Sequence, residues 1–122
     1  MLLSTLLISL VLVTGFVAWL LLRRRPMCKL SLRAGNGTGV EFAIRGREAT
    51  IGSREGQTVV VSHPAVSSLH ATLTLEEGMF VLRDRSRLGT RVNGQNVQEA
   101  VLRSGDLIRL GNSVDLIFTR LK

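Results

Sequence analysis

Tyrosine is absent from this sequence of 122 residues, and cysteine and tryptophan occur once each. A single cysteine, Cys28, cannot form a disulfide within the chain, which suits a reducing compartment. Two interpretations of Cys28 are open, an ordinary free thiol and a palmitoylated cysteine beside a membrane. Because Cys28 and the two histidines are few and dispersed, we expect no metal site and no other cofactor.

Charge is absent from the first part of the chain. The 21 residues from Leu2 to Leu22 contain no charged side chain, and all 16 basic and 9 acidic residues lie at or beyond Arg23. A helix of this length is about 30 Å long, which matches the hydrocarbon core of a bilayer. The run predicts a transmembrane helix over residues 1–22, followed by a basic juxtamembrane linker over residues 23–27.

The flanks of the apolar run favour a membrane anchor over two alternatives. A cleaved signal peptide has basic residues before its apolar stretch, whereas Arg23, Arg24 and Arg25 follow this one. A helix buried in a soluble core would be shorter and would need another helix to pack on. Because Lys and Arg stay on the cytoplasmic side, we expect a single-pass membrane protein with its N-terminus outside and residues 23–122 in the cytoplasm.

The remainder of the chain is mildly basic. Apart from the three arginines of the linker it has 13 basic and 9 acidic residues. Nucleic-acid-binding proteins combine such a surplus with aromatic platforms or a basic stripe, but here the arginines are scattered and tyrosine is absent. We therefore expect no nucleic acid as a partner, and a basic surface beside anionic lipid instead.

From Cys28 onward, apolar and polar residues alternate with the period of a β-strand. Turn signals separate the runs, and Asn93-Gly94 is the strongest two-residue hairpin signal among them. The clearest predicted strands cover residues 30–32, 40–44, 49–51, 58–61, 70–75, 79–84, 90–92, 106–110 and 114–118. About ten short strands without an amphipathic helix predict an all-β antiparallel sandwich, in one domain over residues 28–122.

Four stretches of this domain resemble the forkhead-associated (FHA) family. They are residues 49–54 (ATIGSR), 64–71 (PAVSSLHA), 84–94 (DRSRLGTRVNG) and 105–111 (GDLIRLG). The similarity covers about residues 30–118. It implies an FHA-type β-sandwich of about eleven strands, whose loops at one end bind phosphothreonine peptides.

The resemblance also implies which residues form the site. In the family, an arginine after the glycine of the first motif, the serine of S-x-x-H and a threonine of the later loop hold the phosphate. Transferred to this sequence, the resemblance implies phosphopeptide binding by Arg54, Ser67, Ser68, Arg87 and Asn93. It implies loop bracing by Gly52, His70 and Gly94.

The sequence departs from the family pattern in both of the loops that supply phosphate contacts. Ser53 stands where the family has its arginine, and Arg54 follows one place later. Within a strand, such a slip would turn the side chain to the other face. In the later loop, Arg87 replaces the threonine and Leu88 replaces an asparagine.

Two interpretations of these departures remain open. Arg54 and Arg87 rebuild an anion pocket together with Ser67 and Ser68, or the pocket no longer binds phosphate and Leu88 marks a surface for an unphosphorylated protein. The first predicts a membrane-anchored phosphothreonine-peptide-binding module that recruits a phosphorylated protein to the cytoplasmic face. The second predicts a phosphate-independent scaffold component of a membrane complex.

Catalysis is not expected from this sequence. Ser67 or Ser68 with His70 and Asp84 would supply the residue types of a hydrolase triad, but a nucleophile elbow and a P-loop are both absent. Because the last predicted strand ends close to Lys122, we also expect no output domain, and the sequence predicts a binding module.

Overall fold

Eleven β-strands follow one another in the computed structural model, which describes residues 13–15, 17, 26–33 and 39–121. They are β1 (Cys28–Leu32), β2 (Glu41–Ile44), β3 (Glu48–Gly52), β4 (Val59–Val60), β5 (Ala71–Glu76), β6 (Met79–Asp84), β7 (Thr90–Val92), β8 (Gln95–Val97), β9 (Glu99–Leu102), β10 (Leu107–Leu110) and β11 (Val114–Arg120). The predicted all-β sandwich of about eleven strands is confirmed.

Strands β8 and β9 are absent from the strands that the sequence pattern predicts. Both lie at the edge of a sheet, and most of their side chains are exposed or half-buried. Strand β8 has no buried side chain, and β9 contains three apolar residues in a row, of which Leu102 is buried and Val101 is exposed. The sequence of neither strand therefore alternates between apolar and polar residues.

The strands form two sheets with the core between them. One sheet has the order β2-β1-β11-β10-β7-β8 and the other the order β4-β3-β5-β6-β9. Neighbouring strands are antiparallel except β3 and β4, which pair in parallel. In the first sheet, β1 lies between β2 and β11. Its Leu30 pairs with Phe42 of β2 and with Phe118 of β11.

Alternate residues of the strands fill the space between the sheets. In β10 and β11, Ile108, Leu110 and Leu116 are fully buried. Phe118 of β11 meets Phe80 of β6 edge to face, with 5.4 Å between the ring centroids, an arrangement that aromatic pairs favour. This packing joins the two sheets into one rigid support for the loops.

The predicted membrane helix lies for the most part outside the described residues. Residues 13–15 and 17 are helical. Within the described residues, no helix has the length and apolar character needed to cross a bilayer. Pro26 and Met27 of the predicted linker are described, and the amide of Met27 donates a hydrogen bond to the carbonyl of Ile44.

Cys28 is fully buried at the start of β1. Burial raises the pKa of its thiol to about 11, although the charge of Arg120 acts in the opposite direction. A thiol that is both buried and protonated is inaccessible and unreactive. The folded domain therefore excludes palmitoylation at Cys28 and leaves the ordinary free thiol.

The connections between strands lie at two opposite ends of the sandwich. The two ends are about 20 Å apart, which is the length of the seven residues of β11. The His70 end comprises residues 53–58, 61–70, 84–90 and 111–113. The Met27 end comprises residues 26–27, 45–47, 77–78, 93–94, 103–106 and 121. Nearly all of the residues implied by the family resemblance lie at the His70 end.

Gly52, the last residue of β3, has no room for a side chain, because an added Cβ would overlap with the carbonyl group of Ser68. We expect Gly52→Ala to lower the free energy of unfolding of the full chain by about 3 kcal/mol, since a backbone group cannot rotate away. Gly78→Ala is the control: its Cβ meets open space, and only its positive φ of 78° costs about 1 kcal/mol. Equal losses in denaturant titrations would contradict the steric argument.

Candidate functional site

The loop from Asp84 to Thr90 is closed by one carboxylate. Oδ1 of Asp84 accepts hydrogen bonds from the amide of Ser86 at 3.0 Å, from the hydroxyl of Ser86 at 2.5 Å and from the hydroxyl of Thr90 at 2.8 Å. The Ser86 oxygen in turn accepts the amide of Gly89 at 2.8 Å. Burial alone would raise the pKa of Asp84, but these bonds outweigh it and hold the pKa below its ordinary value. The loop is thereby ordered around a charged Asp84.

His70 connects this loop to the one before β5. Its side chain has no solvent exposure. Nδ1 accepts a hydrogen bond from the amide of Ser67 at 3.1 Å, and Nε2 lies 3.0 Å from the carbonyl oxygen of Gly89. Because Nδ1 accepts, the proton is on Nε2 and the ring is neutral. Burial lowers the pKa of His70, although the Gly89 carbonyl and the Asp84 carboxylate raise it in part.

Ser67 joins the same two loops through its side chain. Its Oγ accepts a hydrogen bond from the amide of Arg87 at 3.1 Å. A hydroxyl that accepts in this way still has its own proton to donate. Ser67 is half-buried, so this proton is available to a ligand at the surface.

The neighbouring Ser68 is held by the loop that follows β3. Its carbonyl oxygen accepts a hydrogen bond from Nε2 of Gln57 at 3.0 Å and a longer one from the amide of Arg54 at 3.4 Å. The amide of Ser53 bonds to the carbonyl of Ser67 at 3.0 Å. The close approach of Gly52 to Ser68 makes this backbone pairing feasible, and the Ser68 side chain remains exposed.

Arg54 and Arg87 lie on either side of the Ser67-Ser68 pair, and both side chains are exposed. Among the described residues, neither guanidinium belongs to any of the ion pairs. Arg54 lies two residues beyond the end of β3, so the alternation of a strand does not dictate its direction. We call the four residues Arg54, Ser67, Ser68 and Arg87 the Ser67 site.

Asn93 and Gly94 lie at the Met27 end, apart from the Ser67 site. They form the turn between β7 and β8, with φ angles of 51° and 85°. The Asn93 amide group donates to Asp106 and accepts from the backbone of Leu107, both at 3.0 Å. Asn93 is also about 10 Å along β7 from Thr90. Its polar atoms are thus already bonded within the domain, far from the loops that hold Ser67.

The chemistry of a hydrolase is incompatible with this arrangement. Both ring nitrogens of His70 form hydrogen bonds with backbone groups: Nδ1 accepts from the amide of Ser67, and Nε2 donates to the carbonyl of Gly89. The bonded oxygen of Asp84 faces Ser86 and Thr90. Neither His70 nor the bonded oxygen of Asp84 is therefore free to activate the hydroxyl of Ser67 or Ser68. Within the described part of the chain, no cluster of three His, Cys, Asp or Glu side chains could hold a metal ion.

Three residues that support the site were not singled out from the sequence. Gln57 holds Ser68, Ser86 closes the later loop, and the amide of Gly111 donates to the carbonyl of Gly89 at 3.0 Å. The pattern Asp84-x-Ser86 is typical of a turn in which an aspartate bonds to the backbone two residues on, so it could have predicted the role of Asp84. Nothing in the sequence indicates the contacts of Gln57 or Gly111.

The neutral, buried state of His70 predicts a pH dependence. Below its ordinary pKa of 6.5, the unfolded chain binds a proton that the folded chain excludes, so the free energy of unfolding should decrease as the pH falls through this value. His70→Ala should lower that free energy by about 1 to 3 kcal/mol at neutral pH, because backbone partners lose their bonds, and should flatten the pH dependence.

Denaturant titrations of the full chain at several pH values check this expectation. His63→Ala is the comparison, because His63 is exposed and outside the Ser67 site and its ring accepts only the amide of Ala65 among the hydrogen bonds described. It should change the slope less than His70→Ala does. An unchanged slope in His70→Ala would contradict the assignment of the pH dependence to His70.

Known proteins share both this sequence pattern and this fold. The family model described as FHA domain matches residues 49–111, just over half of the chain. The ABC transporter ATP-binding/permease protein Rv1747 of Mycobacterium tuberculosis is 41% identical over 69 residues, which cover 56% of this chain and 8% of that protein. The chain thus spans only a small part of this curated relative.

Two solved structures have the same fold. The FhaA FHA domain complexed with the intracellular domain of Rv3910 is 30% identical, with a TM-score of 0.66 over 75% of this chain and 98% of that one. The yeast Dun1 FHA domain in complex with a doubly phosphorylated peptide derived from Rad53 is 25% identical. Its TM-score is 0.69, and the match covers 80% of this chain and 76% of that one. The family match, together with the shared fold, establishes that the chain belongs to the FHA family, whose domains are phosphopeptide-binding modules and not enzymes.

Proposed function

We propose that this protein binds a phosphothreonine peptide at the Ser67 site and thereby recruits a phosphorylated protein to the cytoplasmic face of a membrane. The observation that supports this most is that the loops of Arg54, Ser67, Ser68 and Arg87 are joined to one another by hydrogen bonds. The amide of Arg54 donates to the carbonyl of Ser68, and the amide of Arg87 donates to Oγ of Ser67. Arg54 and Arg87 have exposed side chains and belong to none of the ion pairs among the described residues. The hydroxyl of Ser67 accepts one hydrogen bond and retains its proton to donate, and the side chain of Ser68 is exposed.

The chemistry of phosphate fits these donors. A phosphorylated threonine has nearly two negative charges at neutral pH and three strong acceptor oxygens. Guanidinium groups donate charge-assisted hydrogen bonds to such oxygens, and hydroxyls add directed donors. The carboxylate of Asp84 is bonded to Ser86 and Thr90. It is thus held in its own loop and is not part of the four-donor surface.

The loops of the Ser67 site are already ordered in the free protein, which favours the binding of a peptide there. His70 and Asp84 fix the two loops through hydrogen bonds to backbone groups, so few backbone degrees of freedom are lost when a ligand binds. In this proposal His70 braces the loops and does not contact the peptide. The FHA domains of FhaA and Dun1, solved with a protein domain and a phosphorylated peptide respectively, are precedents for such ligands.

The membrane part of the proposal comes from the sequence and from the position of the N-terminal segment. An uncharged run of 21 residues precedes Arg23, Arg24 and Arg25. Pro26 and Met27 belong to the Met27 end, opposite the Ser67 site. A membrane helix joined to this end would leave the Ser67 site facing the cytoplasm, about 20 Å from the attachment point.

A phosphate-independent scaffold is the second candidate function. Leu88 follows Arg87 directly and is 57% exposed, and Leu69 follows Ser68 and is 39% exposed. Exposed apolar side chains beside a binding loop favour contact with the apolar surface of a partner. In this alternative an unphosphorylated protein in a membrane complex covers Leu69 and Leu88.

Binding measurements with a phosphothreonine peptide selected from a library separate the two functions. We expect Arg87→Ala and Arg54→Ala each to weaken binding about tenfold to a hundredfold, because each removes a charge-assisted bond. Affinity should also fall as ionic strength rises, and the dephosphorylated peptide should not bind. Arg91→Ala is the matched control, since Arg91 is exposed on β7 and bonded to Asn96.

The scaffold function predicts the opposite pattern. Under it, no phosphopeptide binds at high protein concentration, Leu88→Asp disrupts assembly with the partner, and Arg54→Ala has no effect. That outcome would exclude phosphate recognition at the Ser67 site.

The proposed topology has its own test. Mass spectrometry of the protein purified from membranes should detect the N-terminal apolar segment, uncleaved, because no basic residue precedes it. Protease added outside intact cells should leave residues 30–122 undigested and should digest them once the cells are opened. Digestion in intact cells would reverse the orientation.

A further inference from the structure

The Met27 end contains a second concave surface, which the Ser67 site does not use. It is an open cavity of about 860 Å³, within the size range of small-molecule sites. Its apolar wall includes Met27, Leu75, Phe80 and Leu121. We call this surface the Met27 cavity.

Three arginines surround the apolar wall. Arg45, Arg47 and Arg120 line the Met27 cavity together with a single acidic residue, Glu48. Arg120 is held in place, because Nη1 donates to the carbonyl of Gly78 at 2.6 Å and the guanidinium carbon lies 5.3 Å from the centroid of the Phe80 ring. The cavity thus combines an excess of positive charge with an apolar wall.

The N-terminal segment of the chain leads into this cavity. Pro26 and Met27 belong to its lining, and Arg23, Arg24 and Arg25 precede them directly in the sequence. Six basic residues therefore either line the cavity or directly precede its lining in the sequence. Clusters of about four to eight such residues beside a membrane segment bind anionic lipids.

We propose that the Met27 cavity binds the headgroup of an acidic phospholipid. The phosphodiester lies against Arg47 and Arg120, and the glycerol and first acyl carbons lie against Met27, Leu75 and Leu121. The presence of a bilayer at this end rests on the proposed membrane attachment, whereas the match of charge and apolar wall belongs to the described residues themselves.

This assignment gives each end of the domain a separate anionic ligand. The lipid is held at the Met27 end, and the phosphopeptide is held at the Ser67 site, about 20 Å away along the strands. Binding of the headgroup would fix the axis of the sandwich relative to the bilayer. It would keep the Ser67 site directed away from the membrane surface.

Soluble short-chain lipids test the proposal on the full chain in a neutral detergent. We expect dihexanoyl phosphatidylglycerol to shift the NMR signals of Arg47 and Arg120, with an affinity about fivefold to tenfold above that of dihexanoyl phosphatidylcholine. Arg47→Gln and Arg120→Gln should each lower the affinity for the anionic lipid by a similar factor. Arg91→Gln, on the surface of β7, should not change it.

Three outcomes would overturn the proposal: equal affinity for the two lipids, an effect of Arg91→Gln as large as that of Arg47→Gln, or binding of inorganic phosphate as tight as that of phosphatidylglycerol. The last result would identify a site for a free phosphate. Since Arg120 also contacts Gly78 and Phe80, Arg47→Gln decides the case if Arg120→Gln fails to fold.

Phosphopeptide affinity and protease protection of the same proteins separate this proposal from the proposed function. If Arg47→Gln loses lipid binding but keeps its phosphopeptide affinity, the result supports the lipid site in the Met27 cavity and leaves the proposed function of the Ser67 site unaffected. Lipid binding by a chain that proves not to insert in membranes would refute the anchor and leave the cavity site in place.

Discussion

The imidazole of His70 accepts the amide proton of Ser67 and donates its own proton to Gly89, which lies 19 residues further along the chain. No other ring state satisfies both groups, because a charged imidazole has no acceptor to offer Ser67. Burial favours the neutral ring, so the environment that hides His70 also selects the state that the loops need. The positions of Ser67 and Arg87 depend on it, because the backbone amide of Arg87 donates to the side-chain oxygen of Ser67 across this junction.

The sequence allowed most of the fold to be predicted, because alternation of apolar residues reports directly on burial between two sheets. It failed for β8 and β9, because β8 has no buried residue and the apolar residues Ala100, Val101 and Leu102 of β9 follow one another without alternation. In the site, local motifs identified Ser67 and His70, since a family pattern records them in order. The sequence did not indicate the contacts of Asn93. Its side chain forms hydrogen bonds with Asp106 and with the backbone of Leu107, and pairing between distant loops cannot be read from one sequence.

The departures from the family pattern move one guanidinium group by one residue along the chain and place a second one where the family has a hydroxyl. Ser53 contributes its backbone amide to Ser67, which needs no particular side chain, and the guanidinium follows at Arg54. At Arg87 a long, planar, permanently charged group replaces a short hydroxyl. Such a group can donate two parallel hydrogen bonds to one anion and can reach it from further away. A pocket of this composition depends more on charge and less on close fit.

The position of β1 has a mechanical consequence. Force between a tether ahead of Pro26 and a ligand at the opposite end would run parallel to the strands, not across them. Strand β1 has five residue pairs with β11 on one side and four with β2 on the other. Under such a load the pairs on both sides of β1 share the tension and must slide together, whereas a strand at a sheet edge has pairs on one side only. If the membrane attachment and the ligand lie where we propose, these pairs would resist the separation of β1 when a bound protein pulls on the domain.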